Sequence, residues 1–130
     1  MSKRVLVVDD EQDIRVFMTT LLETSGFKPI VASNGQEGLE LARKQKPALI
    51  IMDIMMPKES GIFMYREVKK DPELKDIPVI MVSALSKKTF MHSQRVVDEY
   101  EGIKVPEPAA YIEKPPDAEE LLETVLKVLP

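Results

Sequence analysis

The chain lacks cysteine altogether, which excludes a disulfide framework, a thiol nucleophile and a thiolate metal site. It also lacks a long apolar run. The run that follows the basic start, Val5–Val8, ends at Asp9 after four residues. A secretory signal needs a longer apolar stretch, and a membrane-spanning helix needs about 20 apolar residues. We therefore expect a cytoplasmic protein that does not enter a membrane.

An excess of basic residues is also missing, since the formal net charge is −4. Proteins that bind nucleic acids usually carry a basic patch, so direct binding of DNA or RNA is not expected. No glycine-rich phosphate loop or dinucleotide fingerprint occurs. The 130 residues match one domain, and no linker, repeat or low-complexity tract divides them. We expect a single domain over residues 1–130, with no output domain.

Short apolar runs alternate with segments of helical periodicity. The runs are typical of strands buried on both faces, and the alternation predicts an α/β fold with a doubly wound, five-stranded parallel sheet and five helices. The predicted strands are Val5–Val8, Lys28–Ala32, Leu49–Met52, Val79–Val82 and Ala109–Ile112. The predicted helices are Gln12–Thr24, Gln36–Gln45, one capped by Ser60 and ending near Lys70, one from Ser86 to about Tyr100, and one capped by Asp117.

Polar side chains follow the ends of four predicted strands. Right-handed crossovers place the carboxyl ends of parallel strands on one edge of the sheet, where open α/β sheets bind their ligands. We therefore expect these side chains to converge. The set consists of Asp9, Asp10, Asp53, Ser83 and Lys114.

Taken singly, these residues have plain structural interpretations. The Asp9–Asp10 pair could cap a helix, and Asp53 could be a turn residue. Together, each pair of carboxylates at 4 Å repels by about 4 kcal/mol at an effective dielectric of 20, so gathering them needs a cation or protonation. Oxygen ligands suit Mg²⁺ or Mn²⁺, and Lys114 adds positive charge for a phosphoryl oxygen. The set predicts phosphoryl transfer to Asp53.

The ordered motifs resemble the receiver domain of response regulators in two-component signalling, of the stand-alone, chemotaxis-regulator-like type. The resemblance implies strand order 2-1-3-4-5, a phosphoacceptor at Asp53, and a switch formed by Ser83 and Tyr111. It also implies metal ligands at Asp9, Asp10, Asp53 and the backbone carbonyl of Met55, and a cis bond between Lys114 and Pro115. The motifs that carry it are Val8-Asp9-Asp10-Glu11, Met52-Asp53-Ile54-Met55-Met56-Pro57 with Gly61, Ser83-Ala84, Tyr111 and Lys114-Pro115.

The same resemblance implies a phosphoprotein of a phosphorelay rather than an enzyme with an external substrate, catalysing only its own phosphorylation and dephosphorylation. The implied partners are a histidine kinase or histidine phosphotransfer protein, and a downstream protein on the face of the fourth helix, fifth strand and fifth helix. A phosphorylation-dependent dimer is compatible with it. Two alternatives remain open: a phosphate-independent receiver scaffold, and a haloacid-dehalogenase-like phosphohydrolase, which needs Asp-x-Asp where this chain has Asp9-Asp10-Glu11.

Some positions depart from the family pattern. The interval between Ser83 and Lys114 is longer than usual and includes Gly102–Pro108, which we interpret as a tolerated surface insertion or an altered partner surface. Phe63 would be an exposed partner contact or a buried variant, and Pro116 stands where an aromatic residue is frequent. His92 is expected to be an exposed helical residue rather than a phosphotransfer histidine.

Overall fold

The computed structural model describes residues 3–57 and 60–129. Its ten elements alternate strictly between strand and helix. The strands are β1 (Arg4–Val8), β2 (Lys28–Ala32), β3 (Leu49–Met52), β4 (Val79–Ser83) and β5 (Ala110–Glu113). The helices are α1 (Gln12–Thr24), α2 (Gly35–Gln45), α3 (Ser60–Lys70), α4 (Lys87–Glu101) and α5 (Ala118–Val128).

All strand pairs are parallel, and the order across the sheet is β2-β1-β3-β4-β5. Alternate residues of the central strands face opposite sides, so each strand contributes to two cores. Leu6 and Val8 pack with α2, α3 and α4, whereas Val5 and Val7 pack with α1 and α5. The predicted fold class and strand order are confirmed. Within the described residues, none of the helices is long and apolar enough to cross a bilayer.

Two helix starts were predicted from the cap residues Ser60 and Asp117, and a third helix was predicted to begin at Ser86; the outcomes differ. The side chain of Asp117 accepts a hydrogen bond from the Glu120 amide, as expected of an N-cap. The Ser86 hydroxyl also acts as an N-cap, accepting a hydrogen bond from the Thr89 amide, so α4 begins one residue later than predicted. Ser60 is the first helical residue rather than the cap, and its hydroxyl accepts instead from the Gly35 amide of α2. The hydroxyl therefore ties two helices together.

The ends of β4 and β5 also differ from the prediction. Ser83 was expected just beyond β4 but is its last residue, because it pairs with Glu113. The amide of Lys114 then donates to the Ser83 carbonyl at 2.8 Å. This pairing moves β5 one residue towards the carboxyl terminus and brings Lys114 to the same edge as Ser83. The peptide bond between Lys114 and Pro115 is cis, as the resemblance implied.

Gly102–Pro108 lies mostly at the surface, which fits both interpretations of the segment, but one of its residues is buried. Val105 is only 6% exposed and packs in the core beneath α3 and α4. Its amide donates to Asp98 Oδ1 at 3.2 Å. The segment is therefore part of the packed structure. Phe63 is half exposed on α3, and His92 is exposed on α4, so the buried alternative for Phe63 is wrong.

Candidate functional site

Three side chains from distant parts of the chain meet at the carboxyl edge of the sheet. Asp9 and Asp53 follow the adjacent strands β1 and β3. Lys114 follows β5, and its long side chain extends back past β4 to reach them. Its Nζ lies 2.9 Å from Asp53 Oδ2 and 3.0 Å from Asp9 Oδ2. The predicted convergence of these three residues is present in the structure.

Glu11 is a fourth member that the sequence analysis did not single out. Its Oε1 lies 2.7 Å from Lys114 Nζ, the shortest of the three ion pairs that the lysine forms within residues 3–57 and 60–129. Glu11 is exposed, so solvent weakens this pair relative to those with the buried aspartates. The motif Asp9-Asp10-Glu11 contained the signal, because a third acid beside two candidate ligands lies at the same strand end.

Burial governs the electrostatics of the site. Asp9 is fully buried and Asp53 is 2% exposed. Desolvation raises the pKa of Asp9, although the Glu11 amide and Lys114 partly oppose that shift. Burial alone would lower the pKa of Lys114, but its bonds to Glu11, Asp53 and Asp9 raise it overall. The lysine therefore remains an ammonium that supplies the positive charge these carboxylates require.

The carboxylate of Asp53 is held from both sides. Its Oδ1 accepts a hydrogen bond from the Met55 amide at 2.9 Å, while Oδ2 faces Lys114. Gly61 keeps the adjoining loop close to α3, because a Cβ there would lie 2.5 Å from the Ile54 carbonyl oxygen and 2.6 Å from that of Asp53. Contacts that short require the backbone to shift, so only glycine fits this approach.

The acidic residues fit a divalent cation. One carboxylate oxygen from each of four acids lies within 4.8 Å of the others. Asp9 Oδ2 is buried, and its one partner among the described residues is Lys114 Nζ at 3.0 Å, so this oxygen has coordination capacity to spare. Ligands that are all oxygen suit Mg²⁺. The four acids are Asp9, Asp10, Glu11 and Asp53.

The hydroxyls of the two predicted switch residues hydrogen-bond to the backbone of Leu85 rather than to Asp53. Ser83 is fully buried, and its Oγ accepts from the Leu85 amide at 3.2 Å. The Tyr111 hydroxyl donates to the Leu85 carbonyl at 2.6 Å. Burial raises the pKa of the Tyr111 phenol, and the Ser83 hydroxyl partly offsets this. Among the described residues, no hydrogen bond joins either hydroxyl to Asp53.

The chain is similar in sequence to known proteins of one family. The family model described as the response regulator receiver domain matches residues 5–126. Protein PilH of Pseudomonas aeruginosa is 36% identical over 126 residues, which cover 97% of both chains. The polar-differentiation response regulator DivK of Brucella anthropi is 36% identical over 129 residues, covering 99% of this chain and 98% of that protein.

Other matches show the same fold in different contexts. The solved structure of the chemotaxis response regulator CheY4 of Vibrio cholerae superimposes with a TM-score of 0.83 at 26% identity, covering 99% of this chain and 100% of that chain. The probable transcriptional regulator ycf27 of Porphyra purpurea is 36% identical, but the chain spans only 48% of its length. The chain belongs to the response regulator receiver domain family, whose role is signalling rather than metabolic catalysis.

Proposed function

We propose that Asp53 accepts a phosphoryl group from a phosphohistidine of a kinase or phosphotransfer protein, and that this transfer switches a protein-binding surface. The observation that carries the proposal is the contact between Lys114 Nζ and Asp53 Oδ2 at 2.9 Å, beside the buried carboxylate of Asp9. A lysine held against a carboxylate in this way is ready to stabilise phosphoryl oxygens on that carboxylate.

The transfer is a substitution at phosphorus. An Asp53 carboxylate oxygen forms the new P–O bond as the P–N bond to the donor imidazole breaks, and the imidazole nitrogen keeps that electron pair. Lys114 would then pair with a phosphoryl oxygen. Mg²⁺ held by Asp9, Asp10, Asp53 and the Met55 carbonyl would neutralise charge on the phosphoryl group. The Met55 amide fixes the acceptor carboxylate during the transfer.

The switch follows from the new acceptor atoms. Ser83 would exchange its bond with Leu85 for one with the phosphoryl group, and Tyr111 would move into the space that Ser83 leaves. Lys114 already pairs with Asp53 before phosphorylation, so the new charge-assisted hydrogen bond is the one from Ser83, which contributes roughly 1.5–3 kcal/mol. Moving a two-state equilibrium from 1:99 to 99:1 needs about 5.5 kcal/mol. Ser83 would therefore supply up to about half of this free energy, and the rest would come from the repacking of Tyr111 and from the exchange of Lys114 partners.

The proposed output is the face formed by α4, β5 and α5, where a downstream protein or a second copy of the chain would bind. The phosphorylated chain itself would either pass its phosphoryl group onward as a relay intermediate or bind a target as a terminal regulator. Incubating the labelled phosphoprotein with a histidine phosphotransfer domain distinguishes these roles, since only a relay intermediate would transfer its label efficiently.

Phosphorylation by a small acyl phosphate in the presence of Mg²⁺ tests the proposed acceptor. The intact mass of the protein should increase by one phosphoryl group, and Asp53→Asn should abolish the increase. Asp76→Asn is a matched control, because Asp76 is exposed and follows α3, far along the chain from the cluster. An Asp53→Asn variant that gains phosphate as fast as the wild type would overturn the proposal.

A further inference from the structure

Two side chains of α3 donate hydrogen bonds to backbone carbonyls of the segment 102–108. The Tyr65 hydroxyl donates to the Pro106 carbonyl. Arg66, which is 3% exposed, donates through Nη2 to the Ile103 carbonyl at 3.2 Å. The segment is therefore attached near both ends to one helix, and Val105 fills the core between those attachments.

The same arginine also attaches α4 to α3. Its Nη1 donates to Asp98 Oδ1 at 2.8 Å, and its Nη2 donates to Glu101 Oε1 at 2.7 Å. Asp98 in turn accepts from the Val105 amide. Because Arg66 is buried, this network fixes α3, α4 and the segment as one unit around a charge that needs all of its partners.

A row of three aromatic rings runs from the switch to this unit. Tyr111 and Phe90 have ring centroids 5.4 Å apart, and Phe90 and Tyr65 have centroids 6.0 Å apart in an edge-to-face arrangement. Phe90 is 1% exposed. Protein interiors are close-packed, so a displacement of Tyr111 leaves a void beside Phe90 unless that ring moves too. Phe90 in turn contacts the ring whose hydroxyl holds Pro106.

We propose that the segment 102–108 is a second output of the phosphorylation switch, released when Tyr111 moves. Movement of Tyr111 repacks Phe90, Phe90 displaces the Tyr65 ring, and the bond from Tyr65 to Pro106 weakens. The segment then loosens along the edge of α4, where the half-exposed Ile103 contributes to the surface. This inference rests on the proposed phosphorylation of Asp53.

Hydrogen exchange at the Val105 amide tests the coupling directly, because that amide is bonded to Asp98 within the segment. Exchange is measured by mass spectrometry on the full chain with Mg²⁺, with and without a small acyl phosphate. Phosphorylation should accelerate exchange of the segment about fivefold, the effect of losing roughly one hydrogen bond. The intact mass of the same samples reports how much protein is phosphorylated.

Two variants separate this route from a general loosening. Tyr65→Phe keeps the ring but removes the hydroxyl, so segment exchange should already be fast without phosphate and change little on phosphorylation. Phe90→Leu interrupts the row, so phosphorylation should leave exchange unchanged. Tyr100→Phe makes the same chemical change as Tyr65→Phe at a side chain that is 92% exposed, and should behave like the wild type.

The outcomes keep the two proposals distinct. If the intact mass does not rise, the proposed acceptor function fails. If the mass rises while segment exchange is unchanged, the coupling is wrong although the acceptor function stands. Should Phe90→Leu not fold, Tyr65→Phe decides alone: an undiminished response to phosphorylation in that variant contradicts the coupling.

Discussion

Ser83 and Tyr111 bind the two sides of one residue: the Ser83 hydroxyl accepts from the Leu85 amide, and the Tyr111 hydroxyl donates to the Leu85 carbonyl. If either hydroxyl leaves, a backbone polar group of the half-buried Leu85 loses its partner and must find another. The two switch residues are thus coupled through the loop between β4 and α4 as well as through space.

Ser83→Ala should preserve phosphorylation of Asp53 but weaken the switch. The variant loses one charge-assisted bond to the phosphoryl group, worth about 1.5–3 kcal/mol, so the active population should fall relative to the inactive one by roughly 10–100-fold. The ring chemical shifts of Tyr111 measure that population by NMR, because the Leu85 amide loses its acceptor in the variant itself. A shift change on phosphorylation as large as that of the wild type would contradict the assigned role of Ser83.

Lys114→Met should destabilise the protein most when metal is absent. Asp9 and Asp53 are then buried without their ammonium partner, and breaking a buried ion pair costs about 3–5 kcal/mol. Mg²⁺ should restore more stability to this variant than to the wild type, because the metal and the lysine compensate the same carboxylates. Urea unfolding with chelator and with Mg²⁺ measures both increments. Equal increments in the two proteins would show that the metal binds elsewhere.

Arg66→Met should be strongly destabilising, because it leaves the carboxylates of Asp98 and Glu101 without their buried partner. The expected loss in the free energy of unfolding is about 3–5 kcal/mol. Arg43→Met is the matched control: that arginine pairs with Asp71 at 3.4 Å and its side chain is 52% exposed, so its loss should cost less than about 1 kcal/mol. Similar losses in the two variants would contradict the network described here.

Stability at acid pH should depend on Asp98. Burial alone would raise the pKa of Asp98, but hydrogen bonds from Arg66 and the Val105 amide hold it below the value of 3.8 expected when unfolded. A depressed pKa stabilises the folded state above the unfolded pKa, and this contribution disappears as the pH falls through the folded pKa. Asp98→Asn should therefore flatten the loss of stability below about pH 4.

Unfolding free energies measured from neutral to strongly acidic pH check this expectation. Glu123→Gln removes a carboxylate of comparable charge from the exposed face of α5 and should leave the acid slope as in the wild type. If Asp98→Asn and the wild type lose stability with the same slope, the acid sensitivity arises from other carboxylates.

The parts of the site that depend on topology were predictable from sequence. Asp53 and Lys114 follow apolar runs, and parallel strands connected in this order must bring those run ends together. The contact made by Ser60 was not predictable, since a serine before a helix usually caps it. The contact made by Glu11 was indicated only by its place beside Asp9 and Asp10, because an exposed acid usually faces solvent. Arg66 was missed for a different reason: a lone arginine in a helix gives no sign that the opposite helix supplies two acids.

The central claim is that Asp53 is the residue that carries the phosphoryl group, and chemical trapping tests it most directly. The protein is incubated with Mg²⁺ and a small acyl phosphate and then reduced with borohydride, which converts an aspartyl phosphate to homoserine. Peptide sequencing by mass spectrometry should find homoserine at position 53 and nowhere else. Homoserine at position 9 or 10, or a phosphorylated protein with none at position 53, would contradict the account.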